Sequence, residues 1–112
     1  VEDDELSFKY LNTVLMKLGL KSIGANNGRE AVEICKENRN IGLVLMDVNM
    51  PIMNGYEATL EIKKIRPNLP VVVQTAYAIA GDREKAFEYG GDDYISKPIK
   101  RENLVMLIEK YL

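Results

Sequence analysis

The chain has 112 residues, enough for one compact domain and too few for two of ordinary size. Hydrophobic residues at 46% and charged residues at 29% place it among globular chains and away from disordered ones. With no histidine and one cysteine, Cys35, it has no Ser-His-Asp triad, no Cys/His zinc site and no internal disulfide. A net charge of −2, with basic residues dispersed apart from small clusters at Lys63–Lys64 and Lys100–Arg101, lends little support to a nucleic-acid surface, and no apolar run approaches transmembrane length. A reducing, cytoplasmic setting is expected.

Taken in chain order, an acidic opening, Val1-Glu2-Asp3-Asp4-Glu5, precedes a helix. Its apolar positions are Leu11, Val14, Leu15 and Leu18, and Gly19 stops it. Residues 21–25 read as a short strand. Residues 28–38 read as a helix with Ala31, Ile34 and Cys35 inward. Residues 41–46 form a continuous apolar run, as a strand buried on both faces requires. Polar and turn residues fill 47–54 around Pro51. Ala58, Ile62 and Ile65 mark a helix that Pro67 ends, and 70–74 form another apolar strand. Residues 81–89 form a more polar helix closed by Gly90 and Gly91. Residues 94–96 are a short strand, and Leu104, Leu107, Ile108 and Tyr111 mark the last helix. Helix and strand alternate throughout, which predicts a parallel sheet with helices on both faces. Only Val1 stands where a strand should precede the first helix, so a gap near the sheet centre is expected. The chain closes on a helix, and no output domain is expected within it.

Functional groups of open parallel sheets collect at the carboxyl ends of strands. There the chain places Glu2, Asp3 and Asp4, then Asp47, Thr75 and Lys97. Clustered carboxylates repel one another unless a cation joins them, and a hard ion such as Mg²⁺ suits oxygen ligands and phosphate. An aspartate can act as nucleophile, and a lysine can neutralise phosphoryl oxygens. Each feature alone has a plainer explanation. Acidic residues favour a helix N-terminus, Asp47 suits a turn, and lysines are usually solvated. The three methionines Met46, Met50 and Met53 suit packing, and Cys35 suits a small buried hydrophobe. The plainer readings do not account for all four strand ends together.

The stretches Val1 to Asp4, Leu43 to Gly55 (LVLMDVNMPIMNG), Gln74-Thr75-Ala76 and Asp92 to Pro98 (DDYISKP) make the sequence similar to response-regulator receiver domains of two-component signalling over nearly its whole length. The resemblance implies one receiver domain, 1–112, with a doubly wound (βα)5 flavodoxin-like α/β fold and a parallel sheet of order 2-1-3-4-5, its first strand largely missing. It implies that Asp47 is the phosphoacceptor, and that Glu2, Asp3, Asp47 and the Asn49 backbone carbonyl hold Mg²⁺ or Mn²⁺. Thr75 matches the switch hydroxyl, Lys97 the phosphoryl-pairing lysine, and Tyr94 the aromatic that changes rotamer. The surface of the fourth helix, fifth strand and fifth helix is then expected to switch. The Lys97–Pro98 peptide is expected to be cis. Residues 55–59 and 80–99 are similar to receivers of hybrid histidine kinases. The implied partners are a kinase dimerisation and phosphotransfer domain and a histidine-phosphotransfer protein. The domain itself is expected to promote its own phosphorylation and dephosphorylation without being a turnover enzyme.

Two departures matter. Asn54 stands where aspartate is common, and the bulky Tyr77 is expected to shield an aspartyl-phosphate from water. Three alternatives stand beside this reading. A haloacid-dehalogenase-type phosphohydrolase needs a second carboxylate two residues after its nucleophile, where Asn49 stands. A flavodoxin-like cofactor module would bring flavin phosphate against a strongly acidic loop. A degenerate receiver used only for docking would not need Asp3, Asp47, Thr75 and Lys97 intact.

Overall fold

The computed structural model describes residues 1–2, 4–48, 53–75, 82–97 and 99–112. Among the described residues five helices and three strands follow in chain order: α1 (Glu5–Lys17), α2 (Gly28–Glu37), β1 (Val44–Asp47), α3 (Gly55–Ile65), β2 (Val71–Thr75), α4 (Asp82–Glu88), β3 (Asp93–Ser96) and α5 (Arg101–Tyr111). The strands form one parallel sheet in the order β1-β2-β3. Val44 stands opposite Val71 and Asp47 opposite Gln74, while Val72 stands opposite Asp93 and Thr75 opposite Ser96.

Side chains alternate across the sheet, so each strand feeds two cores. On one face Val44, Met46 and Val71 pack with Ala31, Val32 and Cys35 of α2 and with Ala58 and Ile62 of α3. On the other, Leu43 and Leu45 meet Leu11 and Val14 of α1 and Leu104 and Ile108 of α5. Helix boundaries follow local chemistry. Asn27 and Asn54 cap α2 and α3, each accepting from the backbone N–H three residues on. Gly19 and Gly90 leave α1 and α4 at φ +77° and +93°, in the left-handed region. Cys35 is a free, buried thiol, as its place in the second helix suggested.

The short strand expected over 21–25 is a correction, because no strand ladder forms there. Val1 and Glu2 occupy the space between β1 and this segment. Val1 N donates to Leu45 O at 2.6 Å, Asp47 N to Val1 O at 3.2 Å, and Glu2 N to Ala25 O at 2.9 Å. Two residues supply one backbone bond to Ala25, too few to register a strand. Below them opens an apolar cavity of about 580 Å³, lined by Leu15, Leu20, Ile34 and Leu43 among others. That is the gap anticipated near the sheet centre. The spatial succession from residue 25 through 1–2 to β1, β2 and β3 agrees with the order 2-1-3-4-5.

Candidate functional site

The carboxyl ends of β1, β2 and β3 open on one crevice. Asp47 ends β1, Thr75 ends β2, and Lys97 follows β3 directly, its backbone N–H donating to Thr75 O at 2.7 Å. Val1 and Glu2, held against β1, bring a second carboxyl group to the same place. Lys97 Nζ lies 3.0 Å from Asp47 Oδ2 and 3.1 Å from Glu2 Oε1, so one ammonium bridges two carboxyls. The partners come from the second and ninety-seventh residues, a juxtaposition only the sheet can make.

The two carboxyls are withdrawn from water, while the Lys97 side chain is 27% exposed. Glu2 is 2% exposed and Asp47 4%. Burial, and then a hydrogen bond with Asp47, push the Glu2 carboxyl up to about 7, against the opposing pull of Lys97. Burial alone would lower the Lys97 ammonium, but its hydrogen bonds to Asp47 and Glu2 outweigh that and hold it above its ordinary value. Among the described residues the lysine thus faces two carboxyls. This surplus of carboxylate oxygen is the donor chemistry that a hard divalent ion resolves. Thr75 is 1% exposed, and its Oγ1 has no hydrogen-bond partner among the described residues. An unsatisfied buried hydroxyl at a strand end is costly unless a ligand uses it.

Glu2, Asp47 and Lys97 thus converge, with Thr75 on the neighbouring strand end. Tyr94 packs elsewhere, against Val48, Val73 and Ala86 on the α4 side. Asp3, Asn49, Tyr77 and Pro98 lie outside the described residues, and with them two of the expected metal donors, the expected shield and the expected cis peptide. Among the described residues no group of three carboxylates, thiols or imidazoles gathers as metal ligands. None of the described helices is long and apolar enough to cross a membrane.

Gln74, placed by the sequence in an apolar strand and in the stretch Gln74-Thr75-Ala76, was given no role there. It is fully buried one residue before the end of β2, and among the described residues neither its Nε2 nor its Oε1 has a partner. The signal was present, because one amide interrupts the apolar run Val71-Val72-Val73 in a strand buried on both faces.

Comparison with known proteins agrees with this geometry. The family model for the response regulator receiver domain matches residues 1–109. Among curated relatives, hybrid signal transduction histidine kinase I of Dictyostelium discoideum is 37% identical over 96% of this chain. The chain spans only 7% of that kinase's length. The polar-differentiation response regulator DivK of Brucella anthropi is 36% identical over the whole chain, which covers 92% of it. Among solved structures, the receiver domain of the sensor histidine kinase PA1611 of Pseudomonas aeruginosa carries a magnesium ion coordinated in its active-site cleft. It has a TM-score of 0.90 and 32% identity, covering 99% of this chain and 92% of its own. The receiver domain of the Saccharomyces cerevisiae response regulator Ssk1, solved with the histidine phosphotransfer protein Ypd1, has a TM-score of 0.93 and 29% identity, with coverages of 98% and 83%. The chain belongs to the response regulator receiver family and is a receiver domain of two-component signalling.

Proposed function

We propose that Asp47 is the phosphoacceptor of this domain. A carboxylate oxygen of Asp47 attacks the phosphorus of a phosphohistidine, the P–N bond breaks, and the departing imidazole takes a proton from solvent. Lys97, already 3.0 Å from Asp47, turns its ammonium to the incoming phosphoryl oxygens. Thr75 gives its unpartnered hydroxyl to the same group. Glu2, Asp3, Asp47 and the Asn49 carbonyl would hold Mg²⁺, or Mn²⁺ in its place, which supplies positive charge beside the phosphoryl oxygens. The buried pair of carboxyls sharing one lysine is the observation that carries this reading.

Once Thr75 and Lys97 bind the phosphoryl group, the arrangement in which Tyr94 repacks is favoured, and the α4–β3–α5 surface changes. The donor is a histidine of a kinase dimerisation and phosphotransfer domain, and a histidine-phosphotransfer protein is a second partner. The domain acts in the cytoplasm, as part of a hybrid histidine kinase. It spans residues 1–112, without nucleic-acid contact or membrane insertion of its own. Intact mass after incubation with acetyl phosphate and Mg²⁺ tests the central claim. One added phosphoryl group is expected, absent from Asp47→Asn and absent when EDTA is present during labelling. No uptake by the parent chain would leave a docking module.

A further inference from the structure

A small apolar cluster stands apart from the two main cores. Val48, Val73 and Ala86 form it, and Tyr56 and Tyr94 pack against it. Ala86 is the anchor of α4 there. It is the only buried side chain described in that helix, where Glu84, Lys85, Phe87 and Glu88 are exposed. A helix from Asp82 to Glu88 is too short to stand by itself and depends on tertiary packing, which one alanine supplies poorly. Tyr56 gives α4 a second hold. Its ring centre lies 5.3 Å from that of Tyr89, the planes tilted by 36°, and Lys85 Nζ stands 4.7 Å from the Tyr56 ring centre. At such separations ring edges and cations are both attracted to an aromatic face. Lys85 and Tyr89 belong to one turn, since Tyr89 N donates to Lys85 O at 3.2 Å. A shift of α4 carries both away from Tyr56 at once, so the hold is made or lost as a unit.

Tyr56 itself is fixed to the other side of the cluster. It follows Gly55, whose N–H donates to Val48 O at 3.2 Å, so its backbone moves with the end of β1. The ring thus spans from the strand that carries Asp47 to α4. Tyr94 shares Val48, Val73 and Ala86 with it, so repacking of Tyr94 takes support from Ala86 and leaves α4 to the Tyr56 hold. The hold exists while Lys97 is paired with Glu2 and Asp47, before its ammonium turns to phosphoryl oxygens. We propose that Tyr56 is a positioning residue whose clasp on Tyr89 and Lys85 keeps α4 in the unphosphorylated arrangement and opens when Asp47 carries a phosphoryl group. A contact made in one arrangement only biases the equilibrium against the other. The clasp therefore opposes phosphoryl binding, and its removal tightens that binding by the factor it contributed to the attachment of α4.

This inference rests on the phosphotransfer reading above, and the test separates the two. Beryllofluoride, a stable stand-in for a phosphoryl group on a carboxylate, is titrated by calorimetry with Mg²⁺ present into the parent, Tyr89→Ala and Lys85→Met. Tyr89→Ala is expected to lower the half-saturating concentration about fivefold, the factor that one aromatic contact sets. Loss of a side chain that merely supports the fold would raise it or leave it unchanged. Amide hydrogen exchange over residues 84–91 of the free domain should quicken by about fivefold as well. With beryllofluoride bound, parent and variant should exchange alike there. Lys85→Met, at an exposed position where unfolding is not a risk, should move both readings the same way by less. Tyr56→Leu keeps an apolar side chain on Val48, and in its background Tyr89→Ala should change neither reading further. A half-saturating concentration that stays or rises would overturn the inference, as would an exchange difference that persists with beryllofluoride bound. Phosphoryl uptake by the parent from acetyl phosphate, beside unmoved variants, would remove this inference and leave the phosphotransfer reading standing. A parent that takes neither beryllofluoride nor phosphoryl would remove both.

Discussion

Gly55 offers the sharpest test of how closely α3 approaches the end of β1. It is the first residue of α3, its N–H donates to Val48 O at 3.2 Å, and Thr59 Oγ1 donates to its carbonyl at 2.7 Å. A Cβ on Gly55 would fall on the backbone oxygen of Asp47, 2.7 Å from Val48 Cα and 2.8 Å from Asp47 C. None of these atoms is the end of a flexible side chain, so Gly55→Ala must push α3 away from β1 and disturb the backbone under Asp47. Overpacking of this kind costs about 1–3 kcal/mol, and backbone obstruction places it near about 3. The lower chain entropy of alanine in the unfolded state returns up to about 1 kcal/mol. A net loss of about 2 kcal/mol follows, a fall in melting temperature of about 8 °C for a domain of this size. Gly19→Ala provides the contrast. Nothing lies within 4 Å of its added Cβ, and its φ of +77° alone costs about 1 kcal/mol. Urea unfolding of both variants gives the midpoints, and m should not change. Phosphoryl uptake by Gly55→Ala should fall at least tenfold. If Gly55→Ala proves as stable as the parent, or less damaging than Gly19→Ala, the close-approach argument is wrong.

Other expectations concern the frame around the site. Burial alone would raise the Asp93 carboxyl, but hydrogen bonds from the Tyr94 backbone, Lys110 and Tyr111 outweigh it and hold it below its ordinary 3.8. A depressed carboxyl stabilises the fold above that ordinary value and loses its contribution as pH falls through the folded value. Asp93→Asn should therefore lower the melting temperature at neutral pH, and the difference from the parent should vanish in strong acid. A difference that persists there would assign the effect to packing. Arg66 donates to the carbonyls of Asn38, Arg39 and Ile41 at 3.2, 3.2 and 3.0 Å. Arg66→Met should cost about 2 kcal/mol and speed amide exchange over residues 38–43, and exchange there at the parent's rate would count against that tie. Asn54→Ala removes the α3 cap, and calorimetry should register a loss of about 1 kcal/mol.

Much of the site was legible because its residues sit where periodicity changes. Asp47 follows an apolar run, Lys97 precedes a proline, and Gly55 opens a helix eight residues after Asp47, in a spacing that the close approach of α3 to β1 explains. The strand over 21–25 was misread because a strand is defined by its neighbour, and only two residues stand beside it. Local sequence carries no record of that. Tyr94 was correctly placed on the strand, but its packing toward α4 and away from Asp47 depends on which face the strand turns outward.

By itself the sequence determined the alternation of helices and apolar strands, the helix stops at Gly19 and Gly90, and the residue types that a phosphoryl-transfer site needs. These are local properties, written in spacing and in backbone preference. Tertiary structure alone decided that one lysine bridges Glu2 and Asp47, and that the Thr75 hydroxyl and the Gln74 amide are buried with no partner among the described residues. Those facts are set by the parallel register of β1, β2 and β3, which brings together residues far apart in the chain. Burial then sets the electrostatics, because a carboxyl or an amide behaves differently once water is withdrawn from it.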